Sequence, residues 1–151
     1  MNWTTEMPGV SLDEARRKVG VTIRLPDASV AGAIKKVVLD DTASFESGQP
    51  GLLILFSSGV TLSIQHRPHD LDDVGSDFAP FTDGRPSAFE TRTVDGVPVL
   101  TGEAGTQTTG HGENTVPSQV MWNEGSIGYG LTGPSADFGV ERLVAIMRSF
   151  R

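Results

Sequence analysis

Apolar and polar residues alternate most cleanly over Val60 to Arg67. Val60, Leu62, Ile64 and His66 fall on one side, and Thr61, Ser63, Gln65 and Arg67 on the other. A period of two predicts a half-buried strand with one dry and one wetter face. Just before it, Leu52 to Phe56 is apolar on both sides, which predicts a central strand, and Ser57-Ser58-Gly59 predicts the turn between the two. Near the end the period changes. Val140, Leu143, Val144 and Met147 recur at helical spacing and predict a terminal amphipathic helix that buries this stripe together with Ile146 or Phe150. Ahead of the helix, Trp122, Ile127, Tyr129 and Leu131 supply a hairpin whose turn is Asn123 to Ser126, and Gly133-Pro134 breaks the chain.

The remaining elements follow from punctuation. Ser11-Leu12-Asp13-Glu14 is a capping box. Asp13 and Glu14 sit at its positive end, Arg16, Arg17 and Lys18 close the segment, and Gly20 stops it, so a short helix over 11–19 buries Leu12, Ala15 and Val19. Val21 to Leu25 reads as a short strand ending at Pro26, and Ala31 to Leu39 as another. Residues 68–87 form a Pro/Asp-rich connection. Asp95-Gly96 joins strands over Phe89 to Val94 and Val97 to Glu103, and Pro98 demotes the second to an edge strand or a bulge. Residues 104–118 read as a Gly/Thr-rich loop. The pattern predicts an α+β fold: a mostly antiparallel sheet of about seven strands, with a short N-terminal helix and the C-terminal amphipathic helix packed on it. Residues 1–10 are expected to be a tail and 11–151 a single domain.

Composition narrows the classes of function. A net charge of −7 with no basic stripe argues against a nucleic-acid partner. The absence of cysteine removes disulfides, thiol chemistry and thiolate metal sites. No apolar run reaches the roughly 20 residues that span a bilayer, so no membrane insertion by this chain is expected. The opening residues carry neither a basic nor an apolar leader pattern. That leaves a cytosolic protein, or the soluble part of a longer anchored one.

The candidate chemistry is sparse. Gly128-Tyr129-Gly130-Leu131-Thr132-Gly133 matches a dinucleotide fingerprint in spelling. The fingerprint requires a βαβ unit and a distant acidic residue, which the remaining helix leaves no room for. Close packing explains these glycines better, with the terminal helix as the expected neighbour. His66, His69 and Asp70, with His111 as a further nitrogen, form the best candidate for a metal or hydrolytic site, yet no zinc-protease motif accompanies them. Asp70 to Gly75 begins like a calcium loop and then departs from the ligand pattern. No cofactor is expected.

Two segments carry a family resemblance. SLDEARRKVGVTIRLPD and VMWNEGSIGYGLTG, the latter followed by a helix ending in MRSF, resemble the opening and close of a bacterial family of unknown function. LLILFSSGVTLSIQHRP resembles that family's central hairpin. The resemblance implies the extracytoplasmic part of a membrane-anchored, anti-sigma-factor-like protein, with no established catalytic residues. The expected function is therefore non-enzymatic sensing or binding of an unidentified protein or small-molecule ligand. Two alternatives stand beside it: a small metal-dependent or hydrolytic enzyme using His66, His69 and Asp70, and a sheet cradle for lipid or peptide.

Overall fold

A computed structural model describes residues 6–20, 22–40 and 50–151. Helix α1 (Leu12–Val19) begins where Ser11 Oγ accepts the Glu14 backbone N–H at 3.1 Å, and it ends at Gly20, whose φ of 74° only glycine adopts without strain. Ala15 and Val19 are buried on its inner side and Leu12 half-buried. A short helix α2 (Ala28–Ala31) follows, capped by Asp27, whose carboxylate accepts the Ser29 N–H at 2.8 Å.

Nine strands are found among the described residues: β1 (Ile34–Asp40), β2 (Gly51–Phe56), β3 (Thr61–Gln65), β4 (Glu90–Val94), β5 (Val97–Gly102), β6 (Gly105–Thr109), β7 (Gly112–Val116), β8 (Gln119–Glu124) and β9 (Ile127–Thr132). Seven form one antiparallel sheet in the order β1-β2-β3-β9-β8-β5-β4, and β6 and β7 form a separate hairpin. The protein is α+β, as the patterning predicts. Two of the two-residue turns in the seven-stranded sheet take the left-handed backbone that hairpins favour. Asp95 and Gly96 take φ of 50° and 82° between β4 and β5, as a type I′ turn requires, and Gly125 takes 60° between β8 and β9.

Four expectations are corrected. Residues 22–25 form no strand. Leu25 exchanges backbone hydrogen bonds with Arg151 instead, at 3.4 and 3.0 Å, so this segment is spent on tying down the C-terminus. Val21 lies outside the described residues. The strand predicted from Ala31 starts at Ile34, because Asp27 caps a turn of helix first. The stretch 104–118 is the hairpin β6–β7, with threonines in both strands and Gly110-His111 as the turn. Strand β5 is neither an edge nor bulged, since it lies between β8 and β4. Pro98 is tolerated because the β5–β8 ladder begins only at Val99, so the N–H that proline lacks has no partner to lose.

The core lies on one face of the sheet. Across it run Val120, Leu131, Leu62 and Ile54 in register, and beside them Trp122, Tyr129, Ile64 and Leu52, all buried. Helix α3 (Val140–Arg148) covers β8 and β9, and α1 covers β1 and β2. Val140, Leu143, Val144, Ile146 and Met147 are buried, and so is Phe150 beyond the helix end. Trp122 stacks on Tyr129, and the Phe150 ring stands edge-on to both, with centroids 5.1 and 6.0 Å away. The Tyr129 hydroxyl accepts the Arg24 N–H at 3.1 Å, which satisfies a polar atom that burial would otherwise penalise. Ser118, wholly buried, donates to the Phe138 carbonyl and fixes the linker ahead of α3. No described helix is long and apolar enough to cross a membrane.

Leu143 is wholly buried at the centre of this face. Leu143→Ala is expected to lower unfolding stability by about 2–5 kcal/mol, measured by denaturant melts. A neutral substitution would contradict the assignment of this helix face.

Candidate functional site

The opposite face of the sheet starts from the same alternation. In β9, Ile127, Tyr129 and Leu131 point to the helix, so Gly128 and Gly130 present bare backbone to the other side. The terminal helix is therefore not what approaches these glycines. The connection after β3 is. A Cβ on Gly128 would lie 2.6 Å from the Arg67 carbonyl oxygen and 3.0 Å from Cδ2 of His69. A Cβ on Gly130 would meet only the Ser63 hydroxyl closely, at 2.8 Å. Gly128 to Thr132 run as an extended strand, and none of Gly128, Gly130 and Gly133 has a positive φ. The fingerprint spelling thus lacks the tight turn that would cradle a pyrophosphate.

Asn123, next to Gly128 across the β8–β9 pair, holds the connection in place. Its Oδ1 accepts the His69 N–H at 2.7 Å and its Nδ2 donates to the His69 carbonyl at 2.9 Å. One side chain thus imitates a strand partner for His69. Burial of the His69 ring pushes its pKa below the ordinary 6.5, partly offset by a hydrogen bond with the Tyr129 backbone. Nε2 of His69 and Nε2 of His66 are both buried without a protein partner. Asp70 is exposed and its Oδ1 accepts the Asp72 N–H at 3.0 Å, an Asx turn at the start of the acidic loop. His111 sits exposed at the tip of the β6–β7 hairpin. Among the described residues no three His, Asp or Glu side chains come together as a metal-ligand set, so His66, His69, Asp70 and His111 are not assembled into one.

The same connection builds a site that the sequence pattern does not reveal. From Val74 to Phe89 it closes on itself, with the Phe89 N–H donating to the Val74 carbonyl at 2.7 Å. Three rings anchor it on three glycines. A Cβ on Gly75, Gly102 or Gly105 would fall 2.2–2.7 Å from the rings of Phe78, Phe89 and Phe81 respectively. Arg85 lies over the Phe81 ring at 5.1 Å and donates to the Ala104 carbonyl at 3.0 Å. The Thr82 N–H donates to the Thr106 carbonyl at 2.7 Å, and Gln107 Nε2 donates to the Ala79 carbonyl at 2.7 Å and to Ser87 Oγ at 3.0 Å. Loop and hairpin are thereby locked together as two walls.

Between the walls lies a cleft of about 380 Å³. Phe78, Phe89, Val116 and Pro117 give it an apolar lining, and Ser87, Gln107, Thr108, Thr109 and Gln119 surround them with polar groups. Phe78 and Phe89 meet edge to face, centroids 6.0 Å apart at 75°, and form an aromatic corner. Glu103 is the one ionisable residue in the lining. Two other hollows are poorer candidates. One of about 160 Å³ between sheet and α3 is flanked by the Arg24–Glu124 and Arg148–Asp95 ion pairs. One of about 530 Å³ has only Arg16, Gly20, Thr22 and Ile23 around it and would enclose little of a ligand. Comparison of the chain with protein-family models, with characterised proteins and with solved structures finds no match.

Gly128→Ala is expected to destabilise by about 1–3 kcal/mol, because backbone blocks the new methyl. Gly130→Ala should cost less, since Ser63 can rotate away; paired denaturant melts test the order. A second expectation concerns pH. The native state disfavours protonated His69, so the unfolded chain binds more protons once the pH falls to about 6.5 and below, and stability should decline across that range. In His69→Gln the decline should be shallower. An unchanged slope would show that other groups cause it.

Proposed function

We propose that this domain is a non-enzymatic binding module that takes a small ligand into the cleft between the 74–89 loop and the β6–β7 hairpin. The observation that carries the reading is Phe78. Nearly every large apolar side chain described is withdrawn from solvent, yet this ring is 52% exposed, in the wall of a preformed concavity next to Phe89. Maintaining an exposed aromatic in a rigid cleft favours a ligand that covers it. The volume lies near the lower end of the range for small-molecule sites.

The chemistry of the lining supports binding over catalysis. Hydroxyls are present at Ser87, Thr108 and Thr109, but among the described residues that line the cleft Glu103 is the one ionisable group, with no imidazole or amine in the lining to take a proton from them. Of the histidines that suggested an enzyme, His66 and His69 follow the end of β3 and His111 sits exposed at the tip of the β6–β7 hairpin; none of them lines the cleft. The resemblance of the opening and closing segments to extracytoplasmic domains supports reading the module as the sensing part of an anchored regulatory protein.

Nile red, a neutral apolar dye, should bind saturably, with NMR shifts centred on Ser87, Gln107 and Val116. Phe78→Ala should weaken that binding about tenfold, the effect of losing one aromatic contact, and lower the melting temperature only modestly, because the ring rests on Gly75 but is half-exposed and Phe81 and Phe89 still hold the loop. Binding that ignores Phe78→Ala would remove the cleft as the site.

A further inference from the structure

Resting on the cleft as the binding site, we infer that its ligand is a small organic cation, a quaternary or protonated amine attached to an apolar body. Three observations converge. Phe78 and Phe89 stand nearly perpendicular, so the corner offers a ring face and a ring edge to one occupant, and ring faces attract cations. Glu103 is the only ionisable side chain in the lining and forms no ion pair among the described residues. Arg92, whose charge is felt at Glu103, makes its ion pair with Glu141 instead, at 2.7 Å. A carboxylate without an ion pair, in the same lining as two rings, complements a positive group.

The rest of the cleft agrees. Gln107 spends its amide N–H groups on Ala79 and Ser87, so one of the two side-chain amides in the lining is already used, and no lining side chain carries a positive charge to hold an anion. Threonine hydroxyls and an apolar floor of Val116 and Pro117 suit an uncharged body. The net charge of −7 raises the local concentration of cations around the whole molecule.

A pair of probes equal in shape and different in charge tests this: phenyltrimethylammonium and its carbon isostere tert-butylbenzene, titrated against the intact protein by NMR. The cation should bind several-fold to about tenfold more tightly, and added salt should narrow the gap. Glu103→Gln should bring the cation close to the neutral probe and leave the neutral probe unchanged. Phe78→Ala should weaken both. Equal binding of the two probes, still sensitive to Phe78→Ala, would overturn the cation assignment and leave the binding-module reading standing. Shifts from neither probe at the cleft would overturn both. A cation preference that persists in Glu103→Gln and Phe78→Ala would place the cation elsewhere on the acidic surface and also overturn the assignment.

Discussion

Strand β9 is the constraint on which the rest of the molecule depends. It is the middle strand of seven, and its residues alternate between two extremes of size. Ile127, Tyr129 and Leu131 put maximal apolar bulk on one face. Gly128 and Gly130 put none on the other. A strand has no other way to serve two different packing partners, because successive side chains must point to opposite faces. On the bulky side, Tyr129 meets Trp122 and Phe150, and α3 seals the core. On the bare side, the chain after β3 lies directly on the sheet, with the Arg67 carbonyl and the His69 ring where side chains would otherwise be.

The same device recurs further along. Phe78, Phe81 and Phe89 each rest on a glycine, so the long connection is held by ring-on-backbone contacts rather than by a second hydrophobic core. Backbone hydrogen bonds from Phe89 to Val74 and from Thr82 to Thr106 supply direction to those contacts. A loop fixed in this manner can form a stable wall while leaving a ring accessible. That combination, a preorganised concavity with unsatisfied apolar surface, is what binding requires and what folding alone does not explain.

The C-terminus is tied as firmly. Leu25 and Arg151 exchange backbone bonds, Arg24 donates to the Phe150 carbonyl at 2.8 Å, and Ser149 accepts the Asp27 N–H at 3.1 Å. The segment 22–27 thus acts as a clamp over the aromatic cluster. Its sequence, alternating and ending at a proline, fits a strand equally well. Only the location of the last helix decides that its hydrogen bonds go to the chain end.

Local rules determined much of this protein from sequence alone. Ser11 and Gly20 bound α1, Asp95-Gly96 sets a type I′ turn, the alternation of β3 sets its two faces, and the spacing from Val140 to Met147 sets the buried stripe of α3. Each is a matter of a few neighbouring residues and backbone sterics. That Trp122 and Tyr129 share a hairpin was legible, but the register was not: a turn over Asn123 to Ser126 would set Trp122 opposite Ile127, and the observed turn at Gly125-Ser126 sets it opposite Tyr129. The candidate cleft was not legible. Phe78 sits in a stretch with no periodicity, Phe89 opens a predicted strand beyond it, and their glycine beds, Gly75 and Gly102, serve different elements. The hairpin β6–β7 is polar on both faces, so no alternation announced it, although Thr109-Gly110-His111-Gly112 has the makings of a turn. The histidines show the converse: close in sequence, they suggested a shared site, yet the sheet gives His69 a glycine and an asparagine to rest on and leaves His111 at a distant tip. Which distant residues meet depends on strand order and on which face a connection crosses, and those are decided only when the whole sheet buries its apolar side at once.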